Sequence, residues 1–207
     1  MAVSGPAGPL EALLEEPVEG ARAGIAVVCH PHPLHGGTMQ NKVAHTLART
    51  LCSLGLAALR LNFRGVGASA GSYGGGTGEF EDALAVLDQA AQLRAGSALW
   101  IAGFSFGGCV AMRASLERPV QRVIAVAPAI EHCEVSGSPR CPWLLVQGLQ
   151  DELVDSRAVR AWAGDRREAV QLVELPGVDH YFHGRLNELR GVLEEALGAA
   201  ARALPVR

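Results

Sequence analysis

Apolar positions follow two rhythms along this chain. Six runs are nearly continuous: "GIAVVCH" (24–30), "LAALRLNF" (56–63), "ALWIAGF" (98–104), "RVIAVAP" (122–128), "PWLLVQG" (142–148) and "AVQLVELP" (169–176). Runs of this kind suit strands covered on both faces. A seventh run, "LEALLEE" (10–16), alternates apolar with polar and reads as a strand with one face toward water. Between the runs, apolar positions recur at helical intervals and predict helices over about 39–54, 78–94, 106–117, 155–164 and 186–203. Strand and helix alternate, so the pattern predicts an α/β fold with a mostly parallel sheet of about seven strands and helices on both faces. The 10–16 run is expected to be its antiparallel edge.

With 207 residues, the chain is long enough for one sizeable core and short for two, so residues 1–207 are expected to form one domain. No internal repeat is visible, and the low-complexity stretch is the glycine-rich loop from Gly65 to Gly78. A net charge of -3 without a basic stripe argues against nucleic acid as a partner. No stretch approaches the roughly 18 apolar residues of a membrane span, and "MAVSGPAGPLEALLEEP" lacks a basic segment followed by an apolar one. The expectation is a cytoplasmic protein without a membrane partner. Five cysteines, an odd number with no C-x-x-C spacing, are expected to be reduced and mostly buried rather than a disulfide framework or a thiolate zinc site. Lys42 is the only lysine, and an arginine-rich, alanine-rich composition points to a GC-rich bacterial genome.

Chemistry in such a sheet collects beyond the carboxyl ends of the strands. There the chain reads Gly103-Phe104-Ser105-Phe106-Gly107, a serine between glycines where an apolar strand stops and a helix pattern starts. That arrangement suits a tight strand-to-helix turn projecting Ser105 above the sheet. The same five-letter pattern recurs at Gly67-Ala68-Ser69-Ala70-Gly71, but with no helix period on either side, so Ser69 reads as a loop serine.

A serine hydroxyl is a weak nucleophile until a base takes its proton and a carboxylate holds that base in the right tautomer. Asp151 in "GLQDELV" and His180 in "PGVDHYFHG" each follow a predicted strand, and the order Ser105, Asp151, His180 is that of α/β-hydrolases. Glu152 and Asp155 compete with Asp151, which lies nearer its strand end, and His183 competes with His180. Asp179 reads as a turn residue. For the oxyanion, the backbone N–H of Phe106 is one expected donor. The second falls to His32 or Leu34 in "CHPHPLHGG", because Pro31 and Pro33 have no N–H, and His32 is favoured. The substrate pocket is expected to involve Leu34, Phe104, Tyr181 and Phe182. His30, His32 and His35 raise the question of a metal, but no carboxylate or H-E-x-x-H helix accompanies them, so neither a metal nor another cofactor is expected. Arg64 is expected to tie its loop to a carboxylate or to carbonyls, with a substrate-facing role as the alternative. Glu79 and Asp82 open a helix, where acids complement the dipole.

Taken together, "HPHPLHGGTMQNKV", "LNFRGVGAS", "GFSFGG", "GLQDELV" and "GVDHYFHGRL" resemble the small bacterial serine hydrolases of the α/β-hydrolase superfamily, in the branch near dienelactone hydrolases. The likeness runs from about Leu10 to Leu197 and implies a Ser105-His180-Asp151 triad with carboxylesterase-like activity on a small-molecule ester. Dienelactone hydrolases use a cysteine nucleophile where this chain has Ser105, a departure that speaks against dienelactone as substrate. A thioesterase on the same triad is one alternative, and a catalytically silent hydrolase fold serving as an interaction protein is another. Only "PAIEHCEVSGSPRCP" is available between the strands where lids commonly enter, so no separate lid domain is expected and short acyl chains should be preferred. The glycine-rich loop is the rival cover. A strand near the C-terminus leaves open either pairing across a homodimer or cover by the final helix.

Overall fold

All six continuous apolar runs form strands, in a computed structural model that describes residues 1–133 and 135–207. In chain order the elements are β1 (Ala2–Gly5), β2 (Gly8–Glu15), β3 (Gly24–Cys29), α1 (Lys42–Ser53), β4 (Ala57–Leu61), α2 (Thr77–Leu93), β5 (Ala98–Phe104), α3 (Phe106–Glu117), β6 (Arg122–Val126), β7 (Trp143–Gly148), α4 (Ser156–Gly164), β8 (Val170–Leu175) and α5 (Leu186–Arg202). Single 3-10 turns cover Pro33–His35 and Ile130–His132. The strands lie in one sheet in the order β1-β2-β4-β3-β5-β6-β7-β8, and β4, β3, β5, β6, β7 and β8 run parallel.

The continuous runs are explained by what covers them. Alternate side chains of β3 point to opposite layers: Ile25, Val27 and Cys29 belong to the core layer that α2, α3 and α4 cover, while Ala26 and Val28 belong to the one that α1 and α5 cover. With both faces buried there is no water-facing position to break the run. Leu10 and Ala12 of β2 pack only toward the α2 and α3 layer, which accounts for the alternation seen there.

One expectation is corrected. The 10–16 run is antiparallel, as β2 against β4, but it is not the edge. The sheet has an eighth strand, β1, paired antiparallel with β2 and closed by the chain's amino group on the Ala12 carbonyl at 2.7 Å. Four residues with Val3 alone buried carry too little pattern to announce a strand; pairing with β2 creates it. No helix among the described residues is long and apolar enough to cross a membrane.

Candidate active site

At the carboxyl end of β5 a single residue separates strand from helix. Ser105 has φ 54° and ψ -119°, a conformation that costs a side-chain-bearing residue on the order of 1–3 kcal/mol. The turn closes this tightly because a Cβ at Gly103 would strike the Gly107 backbone, and one at Gly107 would strike the carbonyls of Cys29 and His30. Bonds from Ser105 N to Val126 O (2.9 Å) and from Cys109 N to Ser105 O (3.2 Å) hold it. Among the described residues the other non-glycine positions with positive φ are Ala127, just past β6, and Phe182, two residues beyond His180, so the strain clusters around one end of the sheet. Ser69 has a different fate. Its buried hydroxyl accepts from Glu11 N (2.9 Å) and donates to Asn62 O (2.7 Å), tying the glycine-rich loop to β2.

Ser105, His180 and Asp151, which close three separate strands, meet in one hydrogen-bonded line. His180 Nε2 lies 3.0 Å from Ser105 Oγ, and His180 Nδ1 lies 2.8 Å from Asp151 Oδ2. Asp151 also accepts from the N–H groups of Leu153 (2.9 Å) and Val154 (2.8 Å) and from Gln147 Nε2 (2.9 Å). Burial pushes the Asp151 carboxyl up, but its hydrogen bond to His180, the histidine charge and the two backbone N–H groups outweigh that and leave it below the usual carboxylate range. An ionised carboxylate can only accept, so the proton sits on His180 Nδ1 and Nε2 is left to face the serine hydroxyl. The imidazole is fixed from three sides: Phe104 lies against it at 5.0 Å between ring centroids, Tyr181 at 5.1 Å, and its own backbone N–H donates to Glu152 at 3.3 Å.

The rivals take other posts. Asp155 caps α4 through Arg157 N (2.9 Å), and Glu152 holds the His180 backbone. His183 pairs with Asp179 at 2.8 Å on the surface, so Asp179 buttresses the turn after His180.

Ser105 and Phe106 form the floor of a cavity of about 600 Å³, walled by Tyr73, Gly76 and Thr77 of the glycine-rich loop and by Ala129 and Cys133 of the β6–β7 connection. The glycine-rich loop is thus a wall of the site. Arg64 holds it in place: its backbone N–H, Nε and Nη2 all donate to buried Asp82 (2.9, 3.1 and 2.7 Å), which answers the structural expectation for this arginine. Glu79, wholly buried, accepts from Gly74 N (2.9 Å) and Gly76 N (2.8 Å), a more demanding post than complementing a helix dipole.

Phe106 opens α3, where the first N–H groups have no helical acceptor. In the Pro31–Pro33 loop, Leu34 N donates to His32 Nδ1 (3.2 Å), whereas the His32 N–H finds no acceptor among the described residues. His32 also meets Tyr73 Oη through Nε2 (3.1 Å), and burial lowers its pKa. His30 does not join it. It is buried, with Nε2 accepting from Phe63 N (3.1 Å) and Nδ1 at 2.6 Å from Pro31 O, and burial pushes its pKa down to about 4.

Four pocket expectations are corrected, since none of Leu34, Phe104, Tyr181 and Phe182 lines this cavity. Leu34 points to solvent, at 67% exposure. Phe104 precedes Ser105 on the strand and so faces the opposite layer, beneath His180. Phe182 is buried in that same layer, and Tyr181 stands over a separate groove beside α1. The cysteine expectation is also corrected. Cys109 on α3 and Cys133 after the 3-10 turn at Ile130–His132 form a disulfide with Cα atoms 5.4 Å apart, and both line the cavity; Cys29, Cys52 and Cys141 are free. Two cysteines 24 residues apart leave no spacing signal, and only the fold brings them together. Sequence reasoning also passed over Tyr73, Arg113 and His132, which line the cavity. For Arg113 a signal existed, because Ser105, Cys109 and Arg113 recur at intervals of four along one helix face.

Comparisons place the chain among α/β serine hydrolases. A family model described as serine aminopeptidase, S33, matches residues 27–139. The uncharacterized protein RP471 of Rickettsia prowazekii (strain Madrid E) is 33% identical over 207 aligned residues, covering 94% of this chain and 86% of that protein. Among solved structures, an alpha-beta serine hydrolase homologue from Coxiella burnetii is 42% identical with a TM-score of 0.92, covering 95% of this chain and 96% of the other. XC6422 from Xanthomonas campestris, an a/b serine hydrolase without lid, is 38% identical with a TM-score of 0.92, covering 100% and 95%. None of these matches singles out the dienelactone-hydrolase branch.

Proposed function

Because the chain belongs to the serine aminopeptidase S33 family of α/β-hydrolases, we propose that it cleaves small carboxylic esters through an acyl-enzyme, with Ser105 as nucleophile, His180 as base and Asp151 as the carboxylate that orients it. The observation that carries this reading is the unbroken line Asp151–His180–Ser105, ending at a hydroxyl on the floor of an open cavity. Ser105 Oγ attacks the ester carbonyl carbon while its proton passes to His180 Nε2. The carbonyl oxygen becomes an oxyanion, met by the N–H groups of Phe106 and His32. Collapse breaks the carbon–oxygen bond, and the departing alkoxide takes the proton from His180. Water then repeats the sequence on the acyl group, giving its proton to His180, and Ser105 Oγ leaves with that proton.

A small acyl group fits the cover available. The β6–β7 connection contributes one 3-10 turn at Ile130–His132, pinned to α3 by the Cys109–Cys133 bond, and no helical cap is seen among the described residues.

A fluorophosphonate probe tests the proposal. Stoichiometric labelling of Ser105, located by peptide mass, together with turnover of p-nitrophenyl acetate that resists chelation by EDTA, is the expected result. An unlabelled protein that turns over no ester would leave a silent fold serving as an interaction protein. A thioester of the same acyl group, assayed in parallel, ranks the two leaving groups.

A further inference from the structure

The cavity that holds Ser105 also carries a charge that ester cleavage does not require. Arg113 lines it, on the same face of α3 as Ser105 and Cys109. Its guanidinium carbon stands over the Phe80 ring, 4.7 Å from the centroid, a contact that uses none of its N–H donors. Arg60, Arg64 and Arg118 each hold a carboxylate, whereas Arg113 has neither an ion pair nor a hydrogen bond among the described residues. Among the described residues the other titratable groups lining the cavity are His32, His35, His132 and Tyr73, with no aspartate or glutamate. Glu79, the carboxylate whose charge is felt at His32 and Tyr73, spends its oxygens on Gly74 and Gly76. A half-buried arginine that meets no acid among the described residues is a place for an anion from outside.

We propose that the site selects anionic esters, whose reacting carbonyl sits at Ser105 while a carboxylate at the far end of the molecule pairs with Arg113. This rests on the ester-cleaving reading of the same site. The spacing sets the length of the substrate. Eight residues separate the two Cα atoms, about 12 Å along a helix, and side chains on a helix lean toward its N-terminus, so the guanidinium lies nearer to Ser105 than that. An arm of several methylenes between ester and carboxylate fits this gap. The guanidinium, with its fixed fork of donors, suits a carboxylate at both oxygens.

The experiment compares charged and neutral esters of equal length. On the acyl side the pair is mono-p-nitrophenyl adipate against methyl p-nitrophenyl adipate; on the alcohol side it is 6-acetoxyhexanoate against its methyl ester. In the wild type, kcat/KM per fluorophosphonate-titrated site should be about 10-fold or more higher for the charged member of at least one pair, as expected for a charge-assisted contact. The ratio should fall to about 1 in Arg113→Gln and be partly kept in Arg113→Lys. It should hold between pH 7 and 9, because a guanidinium does not titrate there and a histidine does. A second measurement needs no variant: monomethyl adipate should slow labelling of wild-type Ser105 at lower concentration than dimethyl adipate does. A labelled enzyme with a ratio near 1 in both pairs overturns the proposal and leaves ester cleavage standing. A ratio that survives in Arg113→Gln, or vanishes above pH 7, overturns the assignment to Arg113. A wild type that takes no label refutes the hydrolase reading itself.

Discussion

The two sides of Ser105 are built to opposite rules. Behind it, Asp151 accepts four hydrogen bonds, His180 is gripped at both ring nitrogens, and the layer beneath them is closed to water. In front of it, Arg113 has no hydrogen bond or ion pair among the described residues, the His32 N–H has no acceptor among them, and Leu153, His35 and Thr77 are exposed. On the proposed reading, groups that must meet within a few tenths of an ångström are held by saturation and burial, whereas groups proposed to choose among substrates are left with bonding capacity unspent. Changes behind the serine should therefore alter rate or stability steeply, and changes in front should alter preference gently.

The steepest test is Ser105→Ala, expected to lower kcat/KM for p-nitrophenyl acetate by about 10⁴-fold or more. Ser69→Ala should leave turnover within a few-fold while costing about 1 kcal/mol in chemical denaturation, since its two hydrogen bonds are structural. Equal losses from the two variants would break the distinction between them.

Next comes His30, buried among the supports of the site. Its pKa in the fold is about 4, against an ordinary value of 6.5. A histidine depressed by burial contributes stability that is present above the unfolded value and lost as pH falls through the folded one. Between pH 6.5 and 4 the fold should lose roughly 3 kcal/mol on this account, at about 1.4 kcal/mol per pH unit. His30→Gln should be less stable at pH 8 yet show a flatter decline over that window, measured by urea midpoints. An unchanged slope would remove His30 from the supporting half.

Gln147 refines the contrast. It donates to both Asp151 and the Gly148 carbonyl, while its own Oε1 has no partner within the described residues. Gln147→Met should lower kcat/KM about 10-fold, because a group that orients the carboxylate proposed to hold His180 is lost, with little change in stability because a buried orphan goes with it. A large loss of stability with full activity would reverse that assignment.

The gentlest effects belong to the open side. Hydrolysis of p-nitrophenyl esters should peak at about two to six acyl carbons and change only a few-fold per methylene around the peak, since little apolar surface covers a longer chain. A kcat/KM still climbing at twelve carbons would show that the front of the site closes over its substrate.

The same division governs what could be read from the amino-acid order. Ser105, Asp151 and His180 were legible because each ends an apolar run, and strand ends converge in a parallel sheet whatever the loops do. The helices were legible to within three residues at either end for the same reason, their period being set by a buried layer. The cavity wall was not. Its side chains come from a glycine-rich loop, a 3-10 turn and the far face of α3, and neighbours in sequence there face different layers, as Phe104 and Ser105 do. The Pro31–Pro33 loop was opaque in another way: its three histidines look alike in sequence, but His30 is core, His32 lines the cavity with its backbone N–H unmatched among the described residues, and His35 lines it too, stacked on His32 at 4.4 Å.

The backbone at Ser105 has a consequence for selection. At φ 54° and ψ -119° glycine is the unstrained residue, and every alternative with a Cβ gives up stability to be there. A library of variants sorted only by resistance to heat should accumulate Ser105→Gly, a protein more robust than its parent and unable to label. A parallel library sorted for ester turnover should keep the hydroxyl instead, so that sequencing the two pools side by side separates what folding asks of this position from what the proposed chemistry asks.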